Sequence, residues 1–362
     1  MKVAVGGAGA GGCAAAVELT QAGHAVVLWG RKAATLAPFR AAGGIVYDGL
    51  LGNGTIAIES LSDDMAEAVA GAEVAVIALP THAHAAVARA LAMTGWPADR
   101  PVVLNPGHTG GAFEFTTAFR NRRADVPPIA AFSTLTYVAR KPSPERVTVT
   151  GRAKRVRMGA LPGGEAAMAV GAALFPAAET QPDVLAADLA NVNMVLHPPG
   201  AVLAAAWVEA RQGDFTFYVE AMTPGVARVM RRLDDERRAV AAAFGHRLPN
   251  LIEEMRRIGT VEAEVRDIDD FATAIAGGGA NARIKGPKSL EDRYYREDFG
   301  HGLLPFLELA KIAGVETPTA AALFALGGTL AGVDYRDGGR TAEAMGIAGL
   351  SRDQLIERVR HG

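Results

Sequence analysis

Residues 2–12 read Lys2-Val3-Ala4-Val5-Gly6-Gly7-Ala8-Gly9-Ala10-Gly11-Gly12, and the fold follows from them. Val3, Ala4 and Val5 make a short apolar strand. Gly7, Gly9 and Gly12 follow with the spacing G-x-G-x-x-G, and Cys13, Ala14, Ala15 and Ala16 continue as a small-residue helix. A strand, a glycine turn and a helix in that order fit a dinucleotide site. Gly7 permits a tight turn, Gly9 lets backbone N–H groups approach a pyrophosphate, and Gly12 lets helix and strand pack closely. Ala8, Ala10 and Gly11 complete the loop, and the helix N-terminus adds the positive end of its dipole. An ordinary strand–helix turn is the plainer alternative.

The rest of the first half keeps this alternation. Strand-like runs fall at 3–5, 24–29, 55–58, 74–79 and 102–105, with helical spacing at 32–42 and 63–70. Such alternation predicts a parallel, doubly wound sheet. Runs 146–150 and 155–158 flank Gly151 and read as a closing hairpin. Beyond Pro182 strand signals nearly vanish and helical segments follow one another. Residues 224–245 place Val226, Val229, Met230, Leu233, Val240 and Phe244 on one helical face, with Asp234 and Glu236 among the polar residues elsewhere. The expectation is an α/β Rossmann-type doubly wound parallel sheet domain over 1–182, then an all-α second domain over 183–362. The cleft between two such domains is the default place for chemistry.

Composition narrows the function classes. The chain has 362 residues, 49% of them hydrophobic, and a formal net charge of -2. That balance gives no electrostatic case for nucleic acid. One cysteine fits a reducing cytoplasm. No secretory signal is read, and the apolar stretches at 189–208 and 317–333 are interrupted by His197-Pro198-Pro199 and Gly327-Gly328, as in buried helices rather than membrane spans. An apolar helical domain is compatible with a homodimer.

The second strand ends Trp29-Gly30-Arg31-Lys32, where NAD-binding folds usually carry an acid for the ribose 2′-hydroxyl. No carboxylate is present, and two cations stand where a 2′-phosphate would lie. The expected cofactor is NADP(H), with NAD(H) as the alternative. The plainer reading of Arg31 and Lys32 is an exposed helix start. Pro80, Thr81 and His82 after the fourth strand, and Asn105, Pro106 and Gly107 after the fifth, are turns at strand C-termini and complete the expected cofactor site. His82 and His84 are two apart, which on a helix does not put them on one face, so they do not read as metal ligands.

Two later segments carry candidate chemistry. In Asn191-Val192-Asn193-Met194-Val195-Leu196-His197-Pro198-Pro199, a histidine precedes two prolines that should end the helix there. An imidazole at a helix C-terminus favours the cation and suits proton donation, although a capping or core histidine fits equally well. In Arg293-Tyr294-Tyr295-Arg296-Glu297-Asp298, Asp298 is placed to cap the helix from Leu303 or to orient a histidine, and Arg293 to bind a carboxylate. A solvated charged turn is the plainer reading.

Taken in order, these segments resemble the opine dehydrogenase family, which includes octopine and nopaline dehydrogenases. The matching pieces are the glycine loop, Asn105 through Gly111, Asn191-Val192-Asn193 with His197-Pro198-Pro199, Phe217-Tyr218-Val219-Glu220 with Thr223-Pro224, Asp235-Glu236-Arg237, and Arg293-Tyr294 with Glu297-Asp298. The family often has an acidic or polar segment where Ala131-Phe132-Ser133-Thr134-Leu135 stands, Phe132 replacing a polar group, and an asparagine where Ala10 stands. The resemblance implies that His197 and Asp298 are the catalytic pair and that Arg293, with Asn193 as a weaker candidate, binds substrate. It also implies that an amino acid and a 2-oxo acid are joined through an imine reduced by NAD(P)H. The rivals are a ketopantoate reductase or glycerol-3-phosphate dehydrogenase type, which relies on a lysine that Lys285, Lys288 and Lys311 do not convincingly match, and a non-catalytic nucleotide-binding protein.

Overall fold

The computed structural model describes residues 1–279 and 281–362 and divides into two compact units. One contains Met1–Gly107 and Gly111–Val184; the other contains His108–Gly110 and Leu185–Gly362.

The strands of the first unit are β1 (Lys2–Gly6), β2 (Ala25–Trp29), β3 (Ile45–Gly49), β4 (Gly54–Ile56), β5 (Ser60–Ser62), β6 (Val74–Ile77), β7 (Val102–Leu104), β8 (Ile129–Phe132), β9 (Tyr137–Ser143), β10 (Arg146–Arg152), β11 (Val156–Ala160) and β12 (Ala178–Thr180). Eight of them form a mostly parallel sheet in the order β12-β11-β8-β7-β6-β1-β2-β5. Val3, Val5, Val26, Leu28, Val74, Val76 and Val103 are fully buried in it. Strands covered on both faces become continuous apolar runs of this kind. The Ala10–Gln21 helix packs through Gly12, Cys13, Ala14, Ala15, Ala16, Val17 and Leu19.

Two expected pairings do not form. The 55–58 run does not join the large sheet: β4 pairs antiparallel with β3 in a second sheet, ordered β4-β3-β10-β9, and β5 is the strand beside β2. Ile56 and Ile58 are half-buried while Thr55 and Ala57 are exposed, the alternation of a strand covered on one face only. Nor do 146–150 and 155–158 make a hairpin. β10 pairs antiparallel with β9, and β11 pairs antiparallel with β8 in the large sheet. Gly151 lies within β10 opposite Val138, so it is a strand glycine and not a turn.

In the second unit the described elements are helices, joined by an isolated bridge between Thr216 and Lys285. The longest helix is Pro224–Ala243, with Thr223 capping its start by accepting from Val226 N–H and Pro224 in its first turn. Val226, Met230, Leu233 and Val240 are buried as the spacing predicts, but Asp234 and Glu236 are buried too. They are internal anchors. Asp234 accepts from Arg237 Nε at 2.8 Å and from Leu251 N–H at 3.0 Å, and Arg237 also donates to the carbonyls of Leu189 and Pro249. Glu236 accepts from the backbone of Thr319 and Ala320, so its carboxylate meets the positive end of the Pro318–Ala331 helix. Helical periodicity assigns these acids to a polar face; it does not reveal that other helices cover that face.

Among the described residues no helix is long and apolar enough to cross a membrane.

Asp234→Ala leaves the Arg237 guanidinium buried beside no carboxylate. The expected loss of stability is about 3–5 kcal/mol, read from urea unfolding; a loss below about 1 kcal/mol, the scale of a surface pair, contradicts the anchoring role.

Candidate functional site

The glycine loop is closed on one side and open on the other. Gly7 has φ +128°, and a Cβ there would lie 2.5 Å from the Ala78 carbonyl oxygen; one on Gly12 would lie 1.7 Å from the Gly7 carbonyl oxygen. Both positions are shut to any side chain. A Cβ on Gly9 would meet nothing within 4 Å. Gly9 is also the N-cap of the Ala10–Gln21 helix and carries no side-chain cap, and the first turn has no acid. Open space at Gly9 above uncapped N–H groups of Ala10, Gly11 and Gly12 fits an anionic pyrophosphate. Lys141, on β9, donates to the Ala8 carbonyl at 3.2 Å and lies over the Phe39 ring, adding a cation to the loop that the sequence did not point to.

At the end of β2 the backbone comes close to this loop. A Cβ on Gly30 would lie 3.3 Å from the Ala8 side chain. Arg31 and Lys32 follow, both exposed. After β6, Pro80 is exposed, and Thr81 is buried in a single 3₁₀ turn, Thr81–Ala83, that holds His82 on the surface. After β7, the Asn105 amide is engaged at both ends by Thr136, donating to its hydroxyl at 2.9 Å and accepting from its N–H at 3.2 Å. Gly107 N–H donates to the Phe132 carbonyl, and a Cβ on Gly107 would lie 2.5 Å from the Ala131 side chain. The Asn105 side chain therefore helps to hold the loop's own shape through Thr136.

The helical unit gathers the candidate chemistry around His197. The prolines do not end the helix: it runs Val192–Leu203 straight through Pro198 and Pro199. His197 is thus an interior helical residue, and the helix C-terminus expected beside it lies instead at Leu203. Each proline removes an i→i−4 bond, so Met194 and Val195 lose their usual backbone donors. The segment from Met194 to Val202 is entirely buried, and that packing holds the helix together where local preference would break it.

His197 Nδ1 lies 2.8 Å from Asp298 Oδ2, and both side chains are buried. An ionised carboxylate only accepts, so the proton sits on Nδ1. His197 Nε2 lies 2.8 Å from the Tyr218 hydroxyl, which in turn lies 3.5 Å from the Tyr294 hydroxyl. Asp298 ends the Arg293–Asp298 helix, whose N-cap Asp292 accepts from Tyr294 N–H, and a wide π-type turn, Phe299–Leu303, follows. Tyr294 and Asp298 are four residues apart and share the face toward His197, the Tyr294 ring lying 4.3 Å from the imidazole. Arg293 lies over the Tyr294 ring at 5.4 Å and is exposed. Among the described residues it has no hydrogen-bonded or ion-paired partner, so its five donors stay available.

A second polar pair lies along the same helix. Asn193, one turn before His197, places its amide 3.3 Å from His108 Nε2. His108 has φ +56°, an uncommon conformation for a residue with a side chain. Burial pushes its imidazole below the ordinary histidine range, against the opposing pull of Glu297 and Asp298. The neutral ring accepts at Nε2. Its turn is tied down by Asn191 donating to Thr109, Thr109 donating to the Asp188 carbonyl, Asp188 accepting from Gly110 N–H, and Arg340 donating to the Thr109 carbonyl. Sequence spacing missed His108, Tyr218 and Tyr294 as members of this cluster. The shared i, i+4 spacings of Asn193 with His197 and of Tyr294 with Asp298 were the available signal. Lys285 is exposed and pairs with Asp214 at 3.1 Å, and Lys288 and Lys311 are exposed.

A dinucleotide-type α/β unit followed by a helical unit with a buried His–Asp pair defines a two-domain NAD(P)-dependent oxidoreductase. Residues 2–108 match the family model described as NAD-dependent glycerol-3-phosphate dehydrogenase N-terminus. Residues 180–331 match the model described as NAD/NADP octopine/nopaline dehydrogenase, alpha-helical domain. Opine dehydrogenase of Arthrobacter sp. (strain 1C) is 33% identical over 351 residues, 96% of either chain. The structure of octopine dehydrogenase with NADH and L-arginine superposes with a TM-score of 0.79 at 20% identity, over 100% of this chain and 99% of that one. NADP+-bound yersinopine dehydrogenase superposes with a TM-score of 0.74 at 16% identity, over 99% and 97% of the two chains. The chain belongs to the opine dehydrogenase family.

Gly9→Ala puts a methyl group into the open side of the loop and nowhere else. The expected result is an unchanged urea midpoint with NADPH affinity weakened about tenfold or more, about 1.4 kcal/mol, by calorimetric titration. Undiminished affinity removes the pyrophosphate from this loop.

Proposed function

We propose that the chain joins the amino group of an amino acid to a 2-oxo acid and reduces the resulting imine, with NADPH preferred over NADH. The observation that carries this reading is the buried His197–Asp298 contact beside an exposed arginine with unused donors. Forming a carbinolamine needs a neutral amine, so a base must take a proton; losing water needs an acid. His197 performs both at Nε2, because Asp298 holds the proton on Nδ1 and stabilises the imidazolium that forms. Arg293 grips a substrate carboxylate through its planar fork. Asn193 stands one helical turn from His197 and is offered as a further polar contact for substrate, beside neutral His108. The reduced nicotinamide, when bound, supplies the hydride to the imine carbon. Gly7, Ala8, Gly9, Ala10, Gly11 and Gly12 would hold its pyrophosphate, with Pro80, Thr81, His82, Asn105, Pro106 and Gly107 on the turns that follow β6 and β7. Arg31 and Lys32 would take the 2′-phosphate, since no carboxylate stands there. Both NADH and NADP+ occur in the structures of the similar proteins, so the preference rests on these two cations.

The test is NADPH and NADH oxidation with pyruvate, 2-oxoglutarate or glyoxylate, each with and without a panel of amino acids, the product mass being read directly. Turnover that requires the amino acid and yields the secondary amine is expected, with kcat/KM higher for NADPH. Oxidation by the oxo acid alone points to a simple 2-oxo acid reductase. Cofactor binding with no turnover across the panel points to a non-catalytic protein, and a higher kcat/KM for NADH reverses the cofactor assignment. His197→Ala should lower kcat by about a hundredfold or more while NADPH still binds; near-wild-type turnover removes His197 from the chemistry. Arg293→Ala should act mainly on KM for the 2-oxo acid, and an unchanged KM ends its carboxylate role.

A further inference from the structure

His197 has no free nitrogen. Nδ1 faces Asp298 Oδ2 at 2.8 Å and Nε2 faces the Tyr218 hydroxyl at 2.8 Å. An sp² ring nitrogen offers one in-plane hydrogen bond, so both are taken. A substrate can reach the Nε2 proton by displacing Tyr218 or by exchanging protons through it.

The surroundings of Tyr218 argue against displacement. The turn that carries it is fastened on both sides: Gly286 N–H donates to the Phe215 carbonyl at 2.8 Å and Phe217 N–H to the Ile284 carbonyl at 2.9 Å. Within the turn, the Glu220 carboxylate accepts from Thr216 N–H at 2.6 Å and from its hydroxyl at 2.9 Å. The neighbouring Phe217 is fully buried, and its ring fills the space that a Cβ on Gly200 would need, one turn along the helix from His197. Burial and the adjacent Tyr294 hydroxyl hold the Tyr218 phenol protonated, its pKa well above the usual range. A phenol that donates to Nε2 still has an acceptor lone pair, so it receives one proton as it passes on another.

We propose that the Tyr218 hydroxyl is the catalytic group through which His197 exchanges protons with the substrate, completing an Asp298–His197–Tyr218 relay. This rests on the opine dehydrogenase reading of His197 given above. The substrate ammonium passes a proton to Tyr218 Oη while the phenolic proton moves to His197 Nε2. The free amine attacks the 2-oxo carbon, forming the C–N bond, and its extra proton moves to the former carbonyl oxygen. The resulting carbinolamine then receives a proton from Tyr218 as His197 Nε2–H restores the phenol. The C–O bond breaks, water leaves, and the nitrogen lone pair closes the C=N bond. Tyr218 and His197 end as they began, and nothing but the later hydride step is a reduction.

Tyr218→Phe removes only the hydroxyl. It is compared with wild type and His197→Ala, using NADPH, pyruvate and the panel amino acid that supports the fastest wild-type turnover. The relay predicts kcat lowered about a hundredfold, with KM for both substrates within threefold and NADPH affinity unchanged. An unchanged or raised kcat overturns it, because the hydroxyl then only occupies Nε2 until substrate arrives. A raised KM at constant kcat overturns it as well, leaving a binding role. His197→Ala separates the two levels: if that variant is inactive while Tyr218→Phe is unimpaired, the relay alone falls. If His197→Ala keeps its turnover, both fall. Should the phenylalanine variant not fold, 3-fluorotyrosine at position 218 keeps the shape and acidifies the phenol. A shifted pH profile of kcat then supports the relay, and an unshifted one overturns it.

Discussion

A buried imidazole between a carboxylate and a phenol is the constraint around which the helical unit is arranged. His197, Asp298 and Tyr218 come from an interior helix, the end of a short helix and a fastened turn, and each must be held for the two 2.8 Å contacts to exist together. Taking an ionisable pair out of water costs several kcal/mol per ion, and it is tolerated only where geometry and further hydrogen bonds compensate. The compensation here is directional: each ring nitrogen has a partner of the right kind, an acceptor opposite N–H and a hydroxyl opposite the lone pair. The helix pays for the placement with two lost backbone bonds at Pro198 and Pro199, and complete burial of that stretch keeps it helical.

The supporting frame uses the same physics with different residues. Asp234, Arg237 and Glu236 are buried on the longest helix, and each reaches backbone groups of another segment: Leu251 N–H, the carbonyls of Leu189 and Pro249, and the N–H groups of Thr319 and Ala320. The Leu189 carbonyl lies two residues before Asn191, the residue that caps the His197 helix. Arg237 therefore fixes the entry to that helix, and Asn191 couples the same point to Thr109 and so to the His108 turn. Apolar packing alone sets helices side by side with some freedom to slide; charged side chains bonded to particular carbonyls and amides set their register.

What could be read from the sequence divides along this line. The glycine loop is legible because its information is the absence of side chains: Gly7 and Gly12 are places where nothing else fits, and such places survive as glycines in a pattern. The parallel strands are legible because burial on both faces leaves uninterrupted Val and Ala runs. The second sheet was not, since β4 is covered on one face and Gly151 sits inside a strand, where glycine normally signals a turn. His197, Asp298 and Arg293 were placed through resemblance rather than spacing. Local rules even misled at His197, because the penalty of a residue preceding proline was overridden by tertiary packing. Tyr218 and His108 were invisible as members of the His197 cluster because partners 21 and 85 residues away define their places.

The same distinction bears on specificity. A loop built from missing side chains suits what every dinucleotide shares, a pyrophosphate; on the proposed reading the exposed cations Arg31 and Lys32 would add contact to a ribose 2′-phosphate. The His197 cluster is the reverse case. Its donors and acceptors are already matched to one another, with Asn193 on His108 and Tyr218 on His197. Arg293 stands apart in keeping its donors unmatched. On the proposed function, a carboxylate would meet a charge whose donors are unused, whereas the reacting atoms would meet a network already hydrogen-bonded. A side chain that had to swing away first would add a step to every turnover, and the proposed relay through the fastened Tyr218 turn would avoid that step.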